Sequence, residues 1–393
     1  MKQLSIGIVG AAASVLAATV SFAQQPPVKI GLILPYSGQF ADTATQMDNA
    51  IKLYVKQHGD SAGGRKIEII RKDSGGIAPD VAKRLAQELV VRDKVDVLTG
   101  LVLTPNALAI ADVSAEAKKF TVIMNAATSI ITTKSPYMAR VSVTTPMLNE
   151  SLGSWAAKAG GTKRVFSMVS DFGPGIDAEE GFMRAYKEAG GQIVGSVRFP
   201  VANPDFAAFV QRAKDSNPDG IFAWVPGGVQ PAAIGKALNE RGIDPKKMKV
   251  MGQDALASDE ALASQGDLAL GIITVANYDH NLANKLNRAF VAAYSADYKR
   301  NPDFFSIGGW DGMHLIYEVL KKTGGKTDGE AMIGAAKGMK WDSPRGPMSI
   351  DPETRDVIED VYIRRVEKVA GKLVNVEFDT IRSVKDPVKA RMK

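Results

Sequence analysis

The chain has 393 residues, 45% of them hydrophobic and 23% charged, which describes a globular protein with room for two domains and excludes disordered and collagen-like chains. It contains no cysteine, so disulfides and thiol chemistry are excluded. The net charge of +6 comes from basic side chains scattered through the sequence, with a modest cluster in the terminal KDPVKARMK, and not from a clustered patch with stacking aromatics that would mark a nucleic-acid partner.

The first residues, MKQLSIGIVGAAASVLAATVSFAQQPP, combine Lys2, an uncharged apolar stretch and the small residues Ser21 and Ala23. That is the anatomy of a secretory signal peptide over 1–23, cleaved after Ala23, and it predicts a protein exported from the cytoplasm. A retained anchor is the alternative, but the apolar stretch is short, diluted by Gly, Ser and Thr, and no second span follows.

From Val28 onward, short β-type runs alternate with amphipathic helical patterns. Strands are predicted over 29–34, 66–71, 95–98, 121–124, 165–169, 192–198, 220–224, 249–251 and 271–275. The helical spacing of Met47, Ala50, Ile51, Tyr54 and Val55 illustrates the segments between them. Strict alternation predicts an α/β fold with parallel sheets covered on both faces. The series starts at Val28 and again near Lys163, which predicts two doubly wound lobes. Residues 281–338 read as helical, and two β-like segments follow over 361–366 and 372–378; this tail completes the two lobes. The crossovers are expected at 141–146, 276–280 and 340–346, giving lobe 1 as 28–143 plus 279–340 and lobe 2 as 144–278 plus 341–385.

Catalytic constellations are not found. His58 precedes a helix-ending Gly59, His314 sits in an amphipathic helix, His280 falls in a crossover, and no serine elbow accompanies them. No histidine pair has metal-ligand spacing, and DPETRD at 351–356 lacks the glycine and final glutamate of a calcium loop, so it reads as a turn. Neither GxGxxG nor a Walker A sequence follows any strand. No enzyme, cofactor or metal is expected.

In open parallel sheets the ligand cleft lies beyond the carboxyl ends of the strands. Here those ends are 36–40, 73–76, 100–106 and 125–129 in the first half, and 171–175, 225–230 and 253–255 in the second. They are rich in Ser, Thr, Asn, Gln and Gly, with Phe40, Phe172 and Trp224 interleaved, and helix N-termini follow most of them. Free N–H groups with the hydroxyls of Thr104 and Thr128 suit a carboxylate, and Asp254 or Asp171 opposite suits an ammonium or another donor. Singly, such residues most often cap helices; together their placement favours a cleft.

Taken in order, VKIGLILPYSGQFADTATQMDNAIKLYV, GGRKIEIIRKDSGG, LTGLVLTPNALAIADV, VIMNAATS, VSDFGPGIDAEEGF, VMGQDALAS and SPRGPMSIDPETRD resemble the periplasmic substrate-binding proteins of ABC importers, of the branched-chain amino acid (Leu/Ile/Val) binding type. The resemblance spans essentially the whole mature chain. It implies a type I periplasmic-binding-protein fold, two Rossmann-like lobes with parallel sheets joined by three crossovers. It also implies that Thr104, Pro105 and Asn106, with Ala126 and Thr128, hold a ligand carboxylate, that Asp254 takes an α-amino group, and that Phe40 supplies an aromatic wall. Gln230, Asp171 and Phe172 complete the candidate set. Pro174 and Gly175 stand where the family's amino-acid binders usually carry an aromatic, Leu103 to Asn106 replace a serine run, and the first-lobe disulfide is missing. These departures open the ligand to aromatic and other organic acids. The expected function is capture of a small carboxylate-bearing ligand by lobe closure and delivery to a membrane permease, by a monomer without nucleic-acid partners. A ligand sensor of the same fold and an exported hydrolase are the alternatives.

Overall fold

The computed structural model describes residues 25–227 and 229–392; the signal peptide and its cleavage after Ala23 lie outside the described residues. Two sheets organise the chain. The first contains β1 (Val28–Leu34), β2 (Ser61–Ala62), β3 (Arg65–Asp73), β4 (Val97–Gly100), β5 (Phe120–Ile123) and β6 (Met138–Arg140), in the order β2-β3-β1-β4-β5-β6. All neighbours are parallel except the short β2 against β3. Central β1, VKIGLIL, is almost wholly buried, as a strand covered on both faces must be.

The second sheet contains β7 (Arg164–Ser170), β8 (Gln192–Phe199), β9 (Gly220–Trp224), β10 (Lys249–Gln253), β11 (Ile273–Ala276), β12 (Lys340–Ser343), β13 (Gly346–Ile350), β14 (Val357–Val369) and β15 (Lys372–Val384). Its order is β12-β13-β14-β11-β10-β9-β7-β8, with β15 on β14. Strands β7 to β11 are parallel, whereas β11–β14, β13–β14, β12–β13 and β14–β15 are antiparallel. Parallel strands form the middle of each sheet as expected, and β12 to β15, all within residues 340–384, extend the second sheet with antiparallel pairs, because two-residue turns can join only antiparallel neighbours. Residues 340–346, expected as a plain crossover, are the β12–β13 hairpin.

Helices α1 (Ala41–His58), α2 (Pro79–Val91) and α3 (Thr104–Glu116) flank the first sheet, and α4 (Thr145–Ala157), α5 (Gly173–Glu188), α6 (Phe206–Asp215), α7 (Gln230–Glu240) and α8 (Asp259–Gln265) flank the second. The chain then returns to the first lobe for α9 (Lys285–Tyr298), α10 (Phe304–Thr323) and α11 (Gly329–Ala336) before ending in the second sheet and α12 (Pro387–Arg391). Asn284, Asp303 and Asp328 cap the three returning helices, each accepting a backbone N–H of the first turn. Apolar packing runs from β1 and α1 through α10 to Tyr278, Met348 and Tyr362, so one core continues across the junction of the lobes. Among the described residues no helix is long and apolar enough to cross a membrane.

Candidate functional site

The loops after β1, β4 and β5 form one lip. After Leu34 the chain makes a single 3-10 turn, Gly38–Phe40, that leaves Phe40 half-buried just ahead of α1. Asp73 Oδ1 ties this loop to the next by accepting N–H bonds from Ser37 (3.3 Å) and Gly75 (2.8 Å). At the end of β4, Gly100 has φ +96, and a Cβ there would lie 2.5 Å from the Ile33 carbonyl, so only glycine lets this turn run against β1. Thr104 opens α3 and is 9% exposed; Pro105, beside it, fills a first-turn position that needs no N–H donor. The turn after β5 is stitched to this loop by Met124 N–H to Gly100 O, Ala126 N–H to Leu101 O and Asn125 Nδ2 to Val102 O, each 2.9 Å. The stitching brings Thr128 Oγ1 to 3.1 Å from Thr104 Oγ1. Buried Asn106 is occupied elsewhere: its Oδ1 accepts from Ala78 N (2.9 Å) and its Nδ2 donates to Gly76 O (2.8 Å), so it holds the β3–α2 loop.

The loops after β7, β9 and β10 form the other lip. Asp171 is exposed, and Phe172 precedes α5 with its ring 5.5 Å from Trp224, tilted by 57°. A Cβ at Gly175 would meet the Ser170 carbonyl at 2.0 Å, so the first turn of α5 sits directly on the end of β7. The Trp224 indole N–H donates to Gln253 Oε1, which fixes the ring at the carboxyl end of β9. Gln230 faces inward, accepting from Ser170 Oγ (3.4 Å) and donating to Val201 O (2.6 Å). Asp254, half-buried at the end of β10, has one oxygen bonded to Ala255 N–H at 2.9 Å. Burial pushes its carboxyl up to about 6 against the opposing field of Arg364.

Of the candidates, the structure brings Thr104 and Thr128 into hydrogen-bond contact, with Pro105 and Ala126 on the same loops, and sets Phe172 against Trp224; Phe40 and Asp254 stand half-buried at the carboxyl ends of β1 and β10, Asp171 is exposed, and Asn106 and Gln230 serve the loops themselves. Two residues that sequence reasoning passed over, one half-buried and one fully buried, stand behind these loops. Asp177 in α5 borders Thr128, and its Oδ2 has no partner within the chain. Arg140 on β6, fully buried, donates Nη1 to the carbonyls of Ala126 and Thr128 (2.9 Å each) and Nη2 to that of Ser129 (3.1 Å). A lone arginine in the short apolar run YMARV was the available signal.

The passages between lobes meet at Arg345. Its Nη2 donates to Val141 O (2.9 Å), its Nε to Asp311 (2.8 Å), and its Nη1 lies 3.2 Å from Glu359, which in turn accepts from Asn277 Nδ2 at 3.2 Å. Arg364 pairs with Asp279 at 2.7 Å beside it. Burial raises Glu359 to about 7 despite Arg345. Among the described residues there is no cluster of ligands for a metal ion, and His280 has only Asp259 (3.8 Å) and Asp279 (4.0 Å) near its Nδ1.

The periplasmic binding protein family matches residues 27–372. A solute-binding protein of an ABC transporter from Rhodopseudomonas palustris BisB5, solved with 3,4-dihydroxybenzoic acid, is 50% identical, covering 92% of this chain and 99% of its own, with a TM-score of 0.87. One from R. palustris HaA2, solved with p-hydroxybenzoic acid, is 38% identical over 93% of this chain and 100% of its own, TM-score 0.88. A Leu/Ile/Val-binding protein homolog 6 from Brucella melitensis biotype 1 is 38% identical over 98% of this chain and 99% of its own length.

Proposed function

We propose that this chain, which belongs to the periplasmic binding protein family, is the solute-binding component of an ABC importer and that its ligand is an aromatic carboxylate, a benzoate carrying ring hydroxyls. The observation that carries this reading is the pairing of two chemically different lips: hydroxyls of Thr104 and Thr128 at 3.1 Å on one, an aromatic wall of Phe172 and Trp224 beside the Asp254 carboxylate on the other. A carboxylate is received by the two hydroxyls and the N-terminal N–H groups of α3. The ring lies against Phe172 and Trp224, where an aliphatic amino acid leaves the wall unused. A ring hydroxyl at the far end donates to Asp254. A few charge-assisted bonds of about 1.5 to 3 kcal/mol each suffice for micromolar affinity, about −8 kcal/mol.

Closure follows from the ligand touching both lips, since only the closed form makes both sets of contacts. In this reading the lobes comprise 28–143 plus 279–340 and 144–278 plus 341–385, and the protein, cleaved after Ala23, works in the periplasm as a monomer that passes ligand to a permease without chemical change. The test is a thermal-shift and calorimetric panel of benzoate, 4-hydroxybenzoate, 3,4-dihydroxybenzoate, leucine and valine. A ligand at 100 times its Kd stabilises the fold by about 2.7 kcal/mol. The hydroxybenzoates should give the largest shift; a shift with leucine or valine alone overturns the proposal.

A further inference from the structure

The turn 126–129 is held from behind by residues from the far end of the chain, and the consequence drawn here rests on the reading that the ligand enters as a carboxylate. Arg140 gathers three carbonyls of this turn, those of Ala126, Thr128 and Ser129. Among the described residues there is no cis peptide, and a trans peptide points its C=O and N–H in opposite directions. With those carbonyls turned toward the guanidinium, the N–H groups of Ala127, Ser129 and Ile130 point away from it.

The guanidinium is itself fixed by a carboxylate that the sequence supplies more than 200 positions later. Asp356 Oδ1 accepts from Arg140 Nε at 2.9 Å, and its Oδ2 pairs with Lys389 of α12, whose ammonium also donates to Thr132 Oγ1. The 351–356 turn is built to present Asp356 there. Asp351 Oδ1 accepts the N–H groups of Glu353 (2.8 Å) and Thr354 (3.1 Å), and Arg355, held at φ +62, donates to the carbonyls of Met138 (3.1 Å), Thr132 and Ser135. A left-handed backbone at a non-glycine residue is a strained arrangement, retained here with the side chain anchored to three carbonyls of the first lobe. Burial, and then Arg140, push the Lys389 ammonium down to about 8, while Asp356 opposes them. Asp386, which caps α12 by accepting from Val388 and Lys389 N–H, and Asp177 of α5 are the other charged groups facing this cluster.

We propose that Arg140 is a positioning residue for the ligand carboxylate: it turns the carbonyls of 126, 128 and 129 backward so that the N–H groups of the turn face the ligand, and Asp356 with Lys389 locks it in that orientation. The residue does not touch the ligand; its effect passes through the turn. Lysine at 140 keeps the charge but cannot reach three carbonyls and Asp356 with one ammonium.

The test measures binding of 4-hydroxybenzoate and of its neutral analogue 4-hydroxybenzamide to the native full-length mature protein, R140K and K389M, with circular dichroism to monitor folding. Loss of one well-placed charge-assisted bond predicts carboxylate binding about tenfold or more weaker in R140K, with the amide weakened about threefold or less. K389M, which leaves Arg140 and Asp356 in place, should show the same selective loss at about three- to tenfold, and it carries the test alone if R140K does not fold. Equal losses for the two ligands, or unchanged affinities in K389M, overturn the proposal. Failure of the native protein to bind 4-hydroxybenzoate is a distinct result that removes the proposed function and this inference together.

Discussion

Replacing Asp254 by asparagine separates a ligand role from a structural one. The Asp254 carboxyl is raised from 3.8 to about 6, chiefly by burial, which corresponds to about 3 kcal/mol working against its ionised form at neutral pH. A carboxyl raised in the folded state contributes stability that is complete below its unfolded value and is lost as pH rises through about 6. The unliganded native protein should therefore lose stability between pH 4 and 7 from this group, and D254N should melt higher than native at pH 7. A ring hydroxyl donating to the ionised carboxylate returns about 1.5 to 3 kcal/mol, so D254N should bind 4-hydroxybenzoate about 10- to 150-fold more weakly. Benzoate, which has no such hydroxyl, should bind both proteins alike. Titration calorimetry at pH 5 and 7 gives the second arm: native affinity for the hydroxylated ligand falls on acidification as Asp254 takes a proton, and D254N is indifferent. Equal losses for benzoate and 4-hydroxybenzoate would refute the reasoning and leave Asp254 as a residue of the β10 turn alone.

The remaining expectations concern the wall, a turn and the junction. W224A should cost benzoate and 4-hydroxybenzoate similarly, about tenfold or more, because it removes ring contact and not a polar bond, while F172A should cost less; calorimetry distinguishes this from the Asp254 pattern. G175A should destabilise by about 1 to 3 kcal/mol in urea unfolding and weaken all ligands together, since its Cβ forces α5 off the Ser170 carbonyl and shifts Phe172 with it. R345M should destabilise by about 3 to 5 kcal/mol, because Asp311 and Glu359 stay buried without their cation. R345M together with D311N and E359Q should recover much of that loss, measured by the same unfolding curves.

Much of the fold is legible in the sequence because its central strands are buried on both faces, which writes unbroken apolar runs such as IGLIL and GIFAW between helical patterns. The residues that close the sheets are less visible. Strand β6 is three residues, MAR, and carries a buried arginine whose partners are carbonyls of a turn more than ten positions away. Strand β12 carries Lys340 and Asp342 at the sheet edge, and β13 carries Pro347 just ahead of the residues that pair with β14, a composition that reads as a linker. The same limit governs the candidate site. Thr104 and Thr128 come into contact because the ends of parallel strands converge, whereas Asn106 and Gln230 have the right composition and position but spend their amides on neighbouring loops. Side-chain direction is a tertiary property, and a sequence read one strand at a time carries little of it.

Neither lobe is continuous along the chain. The first sheet is complete at Arg140, yet α10, which packs on α1, begins at Phe304, and the second sheet waits for residues up to Val384. A chain delivered N-terminus first therefore exposes half-covered strands until most of it has emerged, and its folding is dominated by contacts between distant residues, which slows the reaction. Synthesis errors or cleavage that remove the last dozen residues cost more than a surface helix, since they take away Lys389, which pairs with the Asp356 carboxylate that fixes Arg140 behind the 126–129 turn. If the proposed role of Arg140 holds, ligand capture reports on the completeness of the polypeptide, since a truncated copy lacks the ammonium that braces Asp356 against Arg140.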